Sequence, residues 1–429
     1  MPPALQTDLT YYDSGVDREP ATEPLRGVQS ADVVIVGGGL AGLSAGLHLA
    51  EGGYRVTLLE AGRLGSGASG RNGGQVLPGL ACGFDRLERL VGSHDARGVW
   101  DLTVAGVQLL QQRIARHQID CDWRDGHLHV AGKPRQVQEL RDWETQLRDR
   151  CNYPHTRFMP RDELAAQLGT SRYLAALYDP FAGHLHPLKY LLGIARIAQH
   201  VGLSIHENSR VLEYGPGDAR SLRVQTGAGE IRCDHLLLTG NATLGPLAPA
   251  LRRKIMPVGT YMIATAPLES TQARSLIASN ASVSDMNWII DYFRRSADDR
   301  LLFGGRVSYG GLEAHANTAA LRARMRAVFP QLADTRIDYS WGGWLDITMN
   351  RAPHFGRLAH NVWFLQGFSG HGLALTGVAG RIVAEAIAGA SGEFDVFARI
   401  RHRNFPGGAL LRRPLLALAM LWYRLRDRM

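Results

Sequence analysis

Cysteine is scarce in this 429-residue chain, and the four present (Cys82, Cys121, Cys151, Cys233) lie far apart with no C-x-x-C pair. That spacing argues against a disulfide framework or a cysteine-rich zinc site and fits a reducing compartment. Lysine is rarer still: Lys133, Lys189 and Lys254 are the only three among 48 basic residues. The formal charge of +8 therefore rests on arginine, with acids interleaved as in Arg148-Asp149-Arg150 and Arg161-Asp162-Glu163. Charge scattered in this way attracts anions weakly and leaves no nucleic-acid footprint. Long apolar runs are missing as well. Residues 1–30 hold no stretch suited to a signal peptide, so a cytoplasmic location is expected. The run Pro414 to Tyr423 is too short to span a bilayer. Flanked by Arg412, Arg413, Arg424 and Arg426, it reads as a C-terminal helix docked on the protein, with a membrane-surface helix as the alternative.

What is present is an ordinary globular balance, 45% hydrophobic and 21% charged, in a chain long enough for two domains. Its most informative segment is Val33-Val34-Ile35-Val36-Gly37-Gly38-Gly39-Leu40-Ala41-Gly42-Leu43, a buried parallel strand running into a glycine turn and a helix. Gly37 permits the tight turn, Gly39 lets the backbone approach a pyrophosphate, and Gly42 lets helix and strand pack closely. The free N–H groups of the helix start, at Leu40 and Ala41, face the phosphates. A second strand, Arg55 to Leu59, ends at Glu60-Ala61, where Glu60 is placed to accept hydrogen bonds from a ribose diol. Strand, turn, helix, strand and acid in this order predict a bound dinucleotide.

The next segment, Leu64 to Gln75, has glycine at five of its twelve positions, which excludes a helix or an ordinary strand. Its end, Ser69-Gly70-Arg71-Asn72-Gly73-Gly74-Gln75, brings backbone N–H groups close to a planar ligand; a flexible solvent loop is the alternative. Apolar spacing then predicts helices over 95–119, 134–150 and 188–200. A β-meander follows, with strands at Ile205, from Val211 and from Leu222, and a closing strand from Cys233 into Thr239-Gly240. Strands are also expected at 262–265, 288–294 and 301–305, and a helix at 316–329. Near the end, Val362 to Gln366 leads into Gly367-Phe368-Ser369-Gly370-His371-Gly372-Leu373 and a helix from Ala374. This is a second strand, glycine turn and helix N-terminus, able to stabilise negative charge.

Taken together, these motifs resemble the D-amino acid oxidase superfamily of flavoenzymes, and within it the gamma-glutamylputrescine oxidase group. The marks of that group are Tyr11-Tyr12, the Ser69–Gln75 loop, Gly183 to Pro187 (G-H-L-H-P), Gly367 to Gly372 (G-F-S-G-H-G), Phe405 to Gly408 and Leu425 to Arg428. The resemblance implies an α/β chain with a Rossmann-like FAD-binding domain of the glutathione-reductase type and a second, mainly antiparallel β-sheet substrate domain. The FAD-binding domain is expected to be discontinuous over 30–85, 155–250 and 340–400, the substrate domain to cover 86–154 and 251–339, and 401–429 to form a helical tail. The Ser69–Gln75 loop is expected against the isoalloxazine ring, the glycine of Thr239-Gly240 under the adenosine, Gly367 to Leu373 at the pyrimidine end, and Val211 among the cofactor contacts. His371 is a candidate base or flavin contact, or a turn cap; His184 and His186 either shape the site or cap a turn.

One departure bears on substrate. Glycine and D-amino acid oxidases carry G-x-R-P-x-T-x-D before the second signature, and its arginine pairs with the substrate carboxylate. The matching stretch is Gly343-Trp344-Leu345-Asp346-Ile347-Thr348-Met349-Asn350, with Leu345 in place of the arginine. Asp346 offers a negative charge suited to an ammonium, and Trp288, Tyr292 and Trp344 are candidates for an aromatic box around an amine or alkyl chain, with ordinary core packing as the alternative. No cysteine stands near the second signature, so the FAD is expected to be non-covalent. The reading is an FAD-dependent oxidase of a gamma-glutamylated polyamine, with molecular oxygen as acceptor. A secondary-amine or amino-acid oxidase, a quinone-reducing dehydrogenase and a non-catalytic flavin-bound factor stay open.

Overall fold

The computed structural model describes residues 9–218, 221–308 and 314–406. The expected C-terminal helix and the Leu425 to Arg428 mark lie outside the described residues.

The apolar run before the first glycine turn becomes β1 (Gly27–Val36), whose inner half is fully buried. It pairs in parallel with β2 (Val56–Leu59). Between them the Leu40–Glu51 helix supplies the crossover. Further along the chain are β3 (Gln75–Val76), β4 (Arg124–Ala131), β5 (Arg157–Pro160), β6 (Ala175–His184), β7 (Ser204–His206), β8 (Val211–Pro216), β9 (Leu222–Thr226) and β10 (Gly229–Leu238). The rest are β11 (Ile255–Thr265), β12 (Ser282–Asp285), β13 (Tyr292–Arg295), β14 (Leu301–Ser308), β15 (Ile337–Thr348), β16 (His354–Ala359) and β17 (Val362–Gln366).

Two sheets result. The first runs β16-β17-β10-β1-β2-β7, and the β8–β9 hairpin continues from the outer half of β10. Its centre, β17, β10, β1, β2 and β7, is parallel, and the inner ends of β1 (Val33–Val36) and β10 (Leu236–Leu238) read as apolar runs because both faces are covered. The two helices that follow the glycine turns, Leu40–Glu51 and Leu375–Ile387, cross at closest approach where Gly380 meets Ala45 and Ser44. The second sheet runs β15-β11-β14-β13-β12-β4-β6-β3, with β5 on β6. It is antiparallel except for the β12–β4 pair.

Pairing redraws the expected domain limits. Strands β5 and β6 belong to the second sheet, so the return to the nucleotide sheet comes after His184 rather than at 155. Strand β15 pairs with β11 along its whole length, which moves 340–348 into the second sheet as well. The Ser93–His117 helix packs instead on the nucleotide side: Gly106 abuts the Ala374 carbonyl and Arg113 donates to Ser44 Oγ at 3.0 Å. The expected strand from Trp288 is also shorter. Residues 286–289 form a bend, and β13 begins only at Tyr292.

Candidate active site

The nucleotide end is built by close backbone approach. Gly37 has φ +113°, and a Cβ there would stand 2.8 Å from Gly240 N, so the turn lies directly against Thr239-Gly240. Thr239 Oγ1 donates to the carbonyls of Val36 (3.1 Å) and Gly37 (2.9 Å), which ties β10 to β1 at the turn. Glu60 accepts from Gly38 N through Oε2 (2.7 Å) and from Gly62 N through Oε1 (2.9 Å). Burial raises its carboxyl above the usual range, and those two amides act against the rise. Ser69 Oγ accepts from Leu40 N at 3.0 Å, so this serine caps the Leu40–Glu51 helix.

These residues enclose a cavity of about 260 Å³. Its wall contains Gly37, Gly39, Glu60, Ala61, Ser69, Val211, Thr239 and Gly240, all expected from sequence. Arg210 and Asn241, which sequence reasoning missed, line it too, as does Trp344. Leu40 and Ala41 are buried at the helix start, and Gly42 lies beneath the turn, where a Cβ would meet the Gly37 carbonyl at 2.2 Å. Asn241 Oδ1 is a buried acceptor with no partner. A glycine-walled cavity with helix-end amides, a carboxylate and an open acceptor fits the sugar and pyrophosphate of a dinucleotide.

The glycine-rich loop is more ordered than its composition suggests. Ala68–Arg71 is a single helical turn, because Asn72 Nδ2 donates back to the Ala68 and Ser69 carbonyls at 3.0 Å each. Asn72 Oδ1 also takes Gly74 N at 2.8 Å. Gly70 fits because its α-carbon lies over Gly65, and Gln75 enters β3 opposite His184, with its Nε2 on the Val283 carbonyl at 2.9 Å. Arg71 is buried, its Nε donating to Gly342 O at 2.8 Å while its own carbonyl accepts from Trp341 Nε1 at 3.0 Å. Tyr292 packs closely against the loop, since a Cβ at Gly73 would meet its ring at 2.8 Å.

Two braces here escaped sequence reasoning. Arg294, 3% exposed, donates to Gly73 O at 2.7 Å and to Tyr12 Oη at 3.3 Å. Tyr12 Oη donates in turn to Asn72 O at 2.8 Å. The early tyrosine pair was visible as a motif, but nothing local in the sequence tied it to residues 60 positions away. His186, also in this cluster, caps the Pro187–His200 helix by accepting Lys189 N at 3.2 Å, and its ring meets Tyr12 edge-on at 4.8 Å. His184 sends Nε2–H to Asn280 O at 2.7 Å.

The second glycine turn is pinned from β15. Gly367 has φ +80°, and its N–H donates to the buried carboxylate of Asp346; Ser369 N donates to the Asp346 carbonyl at 3.1 Å. Asp346 is 1% exposed and burial raises its carboxyl to about 6. Its side chain therefore faces the turn rather than a free ammonium site, a correction to the expectation drawn from its charge. Leu345 points to the opposite face of the strand, 3.7 Å from where a Cβ would stand at Gly370. Phe368 packs on Phe355 with ring centroids 5.5 Å apart, and Gly372 lies against the Phe368 side chain. His371 Nε2–H donates to Pro78 O at 3.0 Å, and burial lowers its pKa, so it anchors the turn as a neutral imidazole. Leu373 is half-buried against the main core.

The three aromatic candidates occupy different settings. Trp344 is in the cavity wall, Tyr292 is a packing plate between Gly73 and Gly304, and Trp288 is 43% exposed on the bend. That bend is closed by two buried acids: Asp285 Oδ1 accepts from Asn287 N (3.1 Å) and Asp291 N (3.0 Å), while Asp291 pairs with Arg324 at 2.6 Å.

Comparison with known proteins settles the family. The model of the FAD dependent oxidoreductase family, DAO, matches residues 32–386. The chain belongs to this family. It is 38% identical to the gamma-glutamylputrescine oxidoreductase of Escherichia coli (strain K12) over 421 residues, covering 98% of each chain. A probable oxidoreductase OrdL of Haemophilus influenzae is 36% identical, over 98% of this chain and 97% of that one. Among solved structures, glycine oxidase from Geobacillus kaustophilus shares the fold with TM-score 0.70 at 20% identity, covering 84% of this chain and 95% of that one. FAD is thus the cofactor of this chain. Among the described residues no helix is long and apolar enough to cross a membrane, and no group of acidic, histidine and cysteine side chains suits a metal ion.

Proposed function

We propose that this FAD-dependent oxidoreductase oxidises the amine carbon of a gamma-glutamylated polyamine, yielding an aldehyde, ammonia and, with oxygen as acceptor, hydrogen peroxide. The observation that carries the reading is the 38% identity, end to end, with a gamma-glutamylputrescine oxidoreductase. Leu345 supports it: an apolar side chain stands at the second glycine turn where amino-acid oxidases place a carboxylate-binding arginine, so an α-carboxylate would be buried there without that partner.

When bound, FAD supplies the hydride acceptor, which is the hard part of the chemistry. The chain's own residues hold and shield. Glu60 and the Gly37–Gly39 turn take the nucleotide end, the braced Ser69–Gln75 loop and the Gly367–Leu373 turn take the ring system, and Leu345 with its apolar surroundings excludes water. The cysteines support non-covalent attachment: Cys121, Cys151 and Cys233 are buried and Cys82 half-buried, all four lie outside both glycine turns, and burial raises each thiol.

A substrate panel tests the reading. Under anaerobic conditions gamma-glutamylputrescine should bleach the flavin absorbance, and in air it should give peroxide. Glycine, sarcosine and D-amino acids should do neither at comparable concentration. If one of those amino acids is turned over faster than every glutamylated or free polyamine, the proposal fails and an amino-acid oxidase takes its place. If no amine bleaches the flavin, the bound FAD is structural.

A further inference from the structure

Four polar side chains on β4 and β12 form one hydrogen-bonded chain. Ser282 Oγ meets His127 Nδ1 at 2.7 Å, His127 Nε2 meets Ser284 Oγ at 2.9 Å, and Ser284 Oγ meets His129 Nδ1 at 3.2 Å. The register brings them together, since His127 pairs with Ser282 and His129 with Ser284. All four project from one face of the sheet, because the alternate residues Leu128, Val130, Val283 and Phe293 lie in the core on the other. Tyr292 continues the row that holds His129 and Ser284: it pairs with Ser284, and its ring packs against Gly73 of the Ser69–Gln75 loop. His129 thus stands two strand spacings, about 10 Å, across the sheet from the residue that touches this loop.

The chain has a direction. Burial keeps both imidazoles neutral, His127 far below its usual range and His129 down to about 3. In a neutral imidazole one ring nitrogen donates and the other accepts. Ser282 is fully buried, and among the described residues His127 Nδ1 is the only partner of its hydroxyl. Donating to that nitrogen is therefore what satisfies the buried hydroxyl hydrogen. His127 Nε2–H then donates to Ser284 Oγ, and the Ser284 hydroxyl donates to His129 Nδ1. This fixes the hydrogen of His129 on Nε2. His127, Ser282 and Ser284 are buried, whereas His129 is half-buried, and among the described residues nothing accepts from its Nε2.

We propose that His129 is a specificity-determining residue: its Nε2–H donates to the amide carbonyl of an N-acylated diamine whose free amine lies at the Ser69–Gln75 loop, and Ser284, His127 and Ser282 are positioning residues that fix the tautomer. The inference deepens the amine reading and rests on it. The second end of a free diamine is an ammonium, which has donors and no acceptor and would set N–H against N–H at His129. Acylation replaces that ammonium with an amide, whose carbonyl accepts. A neutral donor suits an uncharged carbonyl, whereas a carboxylate buried here would find no cation in the chain of four. Trp143, 4.6 Å from His129 between ring centroids, gives the same place an aromatic wall.

The experiment is steady-state oxidation of gamma-glutamylputrescine, N-acetylputrescine and putrescine by the holoenzyme, for wild type, His129→Phe, His129→Gln and Ser284→Ala. Binding of the gamma-glutamyl amide of butylamine, which lacks the reacting amine, is followed in parallel through the flavin absorbance. His129→Phe is expected to raise KM for both acylated diamines, and Kd for the amide, about tenfold with kcat changed far less; putrescine should not share the loss. His129→Gln, which carries an N–H donor near the Nε2 position, should recover most of it. Ser284→Ala should move KM several-fold in the same direction. Unchanged KM and Kd in His129→Phe, or an equal loss with putrescine, overturns the proposal. A loss confined to gamma-glutamylputrescine overturns it in favour of the glutamyl carboxylate as acceptor. Failure of the amine reading shows differently, as a wild type that oxidises neither acylated diamine; the amide then decides, and equal Kd for wild type and His129→Phe overturns the inference. Should His129→Phe fail to fold, Ser284→Ala decides alone: an unchanged ratio of kcat/KM between acylated and free diamine refutes it.

Discussion

Gly42→Ala sets local preference and packing in opposition. In a helix, alanine is favoured over glycine by about 1 kcal/mol, so propensity alone predicts stabilisation. At position 42, however, the added carbon would stand 2.2 Å from the Gly37 carbonyl oxygen and 2.7 Å from Thr239 Oγ1. The first distance is about 1 Å short of an ordinary C···O contact. Helix and strand must separate, and the Thr239 bond to Gly37 O is lost with the approach that allowed it. Overpacking costs about 1–3 kcal/mol and the hydrogen bond about 1 kcal/mol more. Net of the propensity gain, the variant should be about 1–3 kcal/mol less stable. FAD should also bind more weakly, because the displaced carbonyl belongs to the phosphate-facing turn. Gly98→Ala is the control: it lies in the Ser93–His117 helix with nothing within 4 Å of the new carbon, and should stabilise by about 0.5–1 kcal/mol. Urea unfolding of both apoproteins, with FAD titration, reads the signs. Stabilisation of Gly42→Ala to the same extent as Gly98→Ala would refute the close-approach argument.

Replacing Glu60 by alanine should weaken FAD binding by about 1.5–3 kcal/mol, the range for a hydrogen bond to a charged group; unchanged affinity would show that the carboxylate serves only the Gly38 and Gly62 amides. Acid precipitation should release FAD into the supernatant and leave a colourless pellet, and colour retained in the pellet would mean a covalent bond. Asp285 is raised by burial and by the nearby Asp291, so the folded state keeps a proton that the unfolded chain has lost above the ordinary carboxylate range. Its stabilising contribution is greatest at low pH and shrinks toward neutrality; urea midpoints of Asp285→Asn should lose part of the wild-type decline between pH 4 and 7. Because a neutral amine gives up hydride, kcat/KM should rise with pH through an apparent pKa above 7, and a profile flat from pH 6 to 10 would contradict that.

The nucleotide end was legible because its physics is local. The turn at Gly37, the packing at Gly42 and the strand ending at Glu60 need only short-range rules, and Thr239-Gly240 showed itself as the end of an apolar strand. Elsewhere the deciding contacts are distant in sequence. Asp346 reads as a free charge until β15 is seen to run past the Gly367 turn, and strand alternation alone does not say which face Leu345 takes. Glycine content suggested an irregular loop at Ser69–Gln75, yet the Asn72 side chain winds part of it into a helical turn. Trp288 had the composition of a strand, but Asp285 and Asp291 close the chain into a bend before β13 can extend. The domain limits failed for a related reason: β5, β6 and β15 join the second sheet by pairing, and the motifs nearest to them belong to the other.

The brace on the flavin loop bears on how the protein is made. Residues 72 and 73 are fastened by Tyr12 and Arg294, and Arg71 by the Trp341 indole and the Gly342 carbonyl, so the loop is complete only when segments nearly 330 residues apart have met. Closing loops of that length is slow, and it cannot begin on a nascent chain before β15 has been synthesised. Cofactor retention is therefore a late event in biogenesis and a whole-chain reporter. An amino-terminal fusion or deletion that displaces Tyr12 should show first as lost yellow colour, while the parallel sheet, which needs none of these contacts, keeps its far-UV signal.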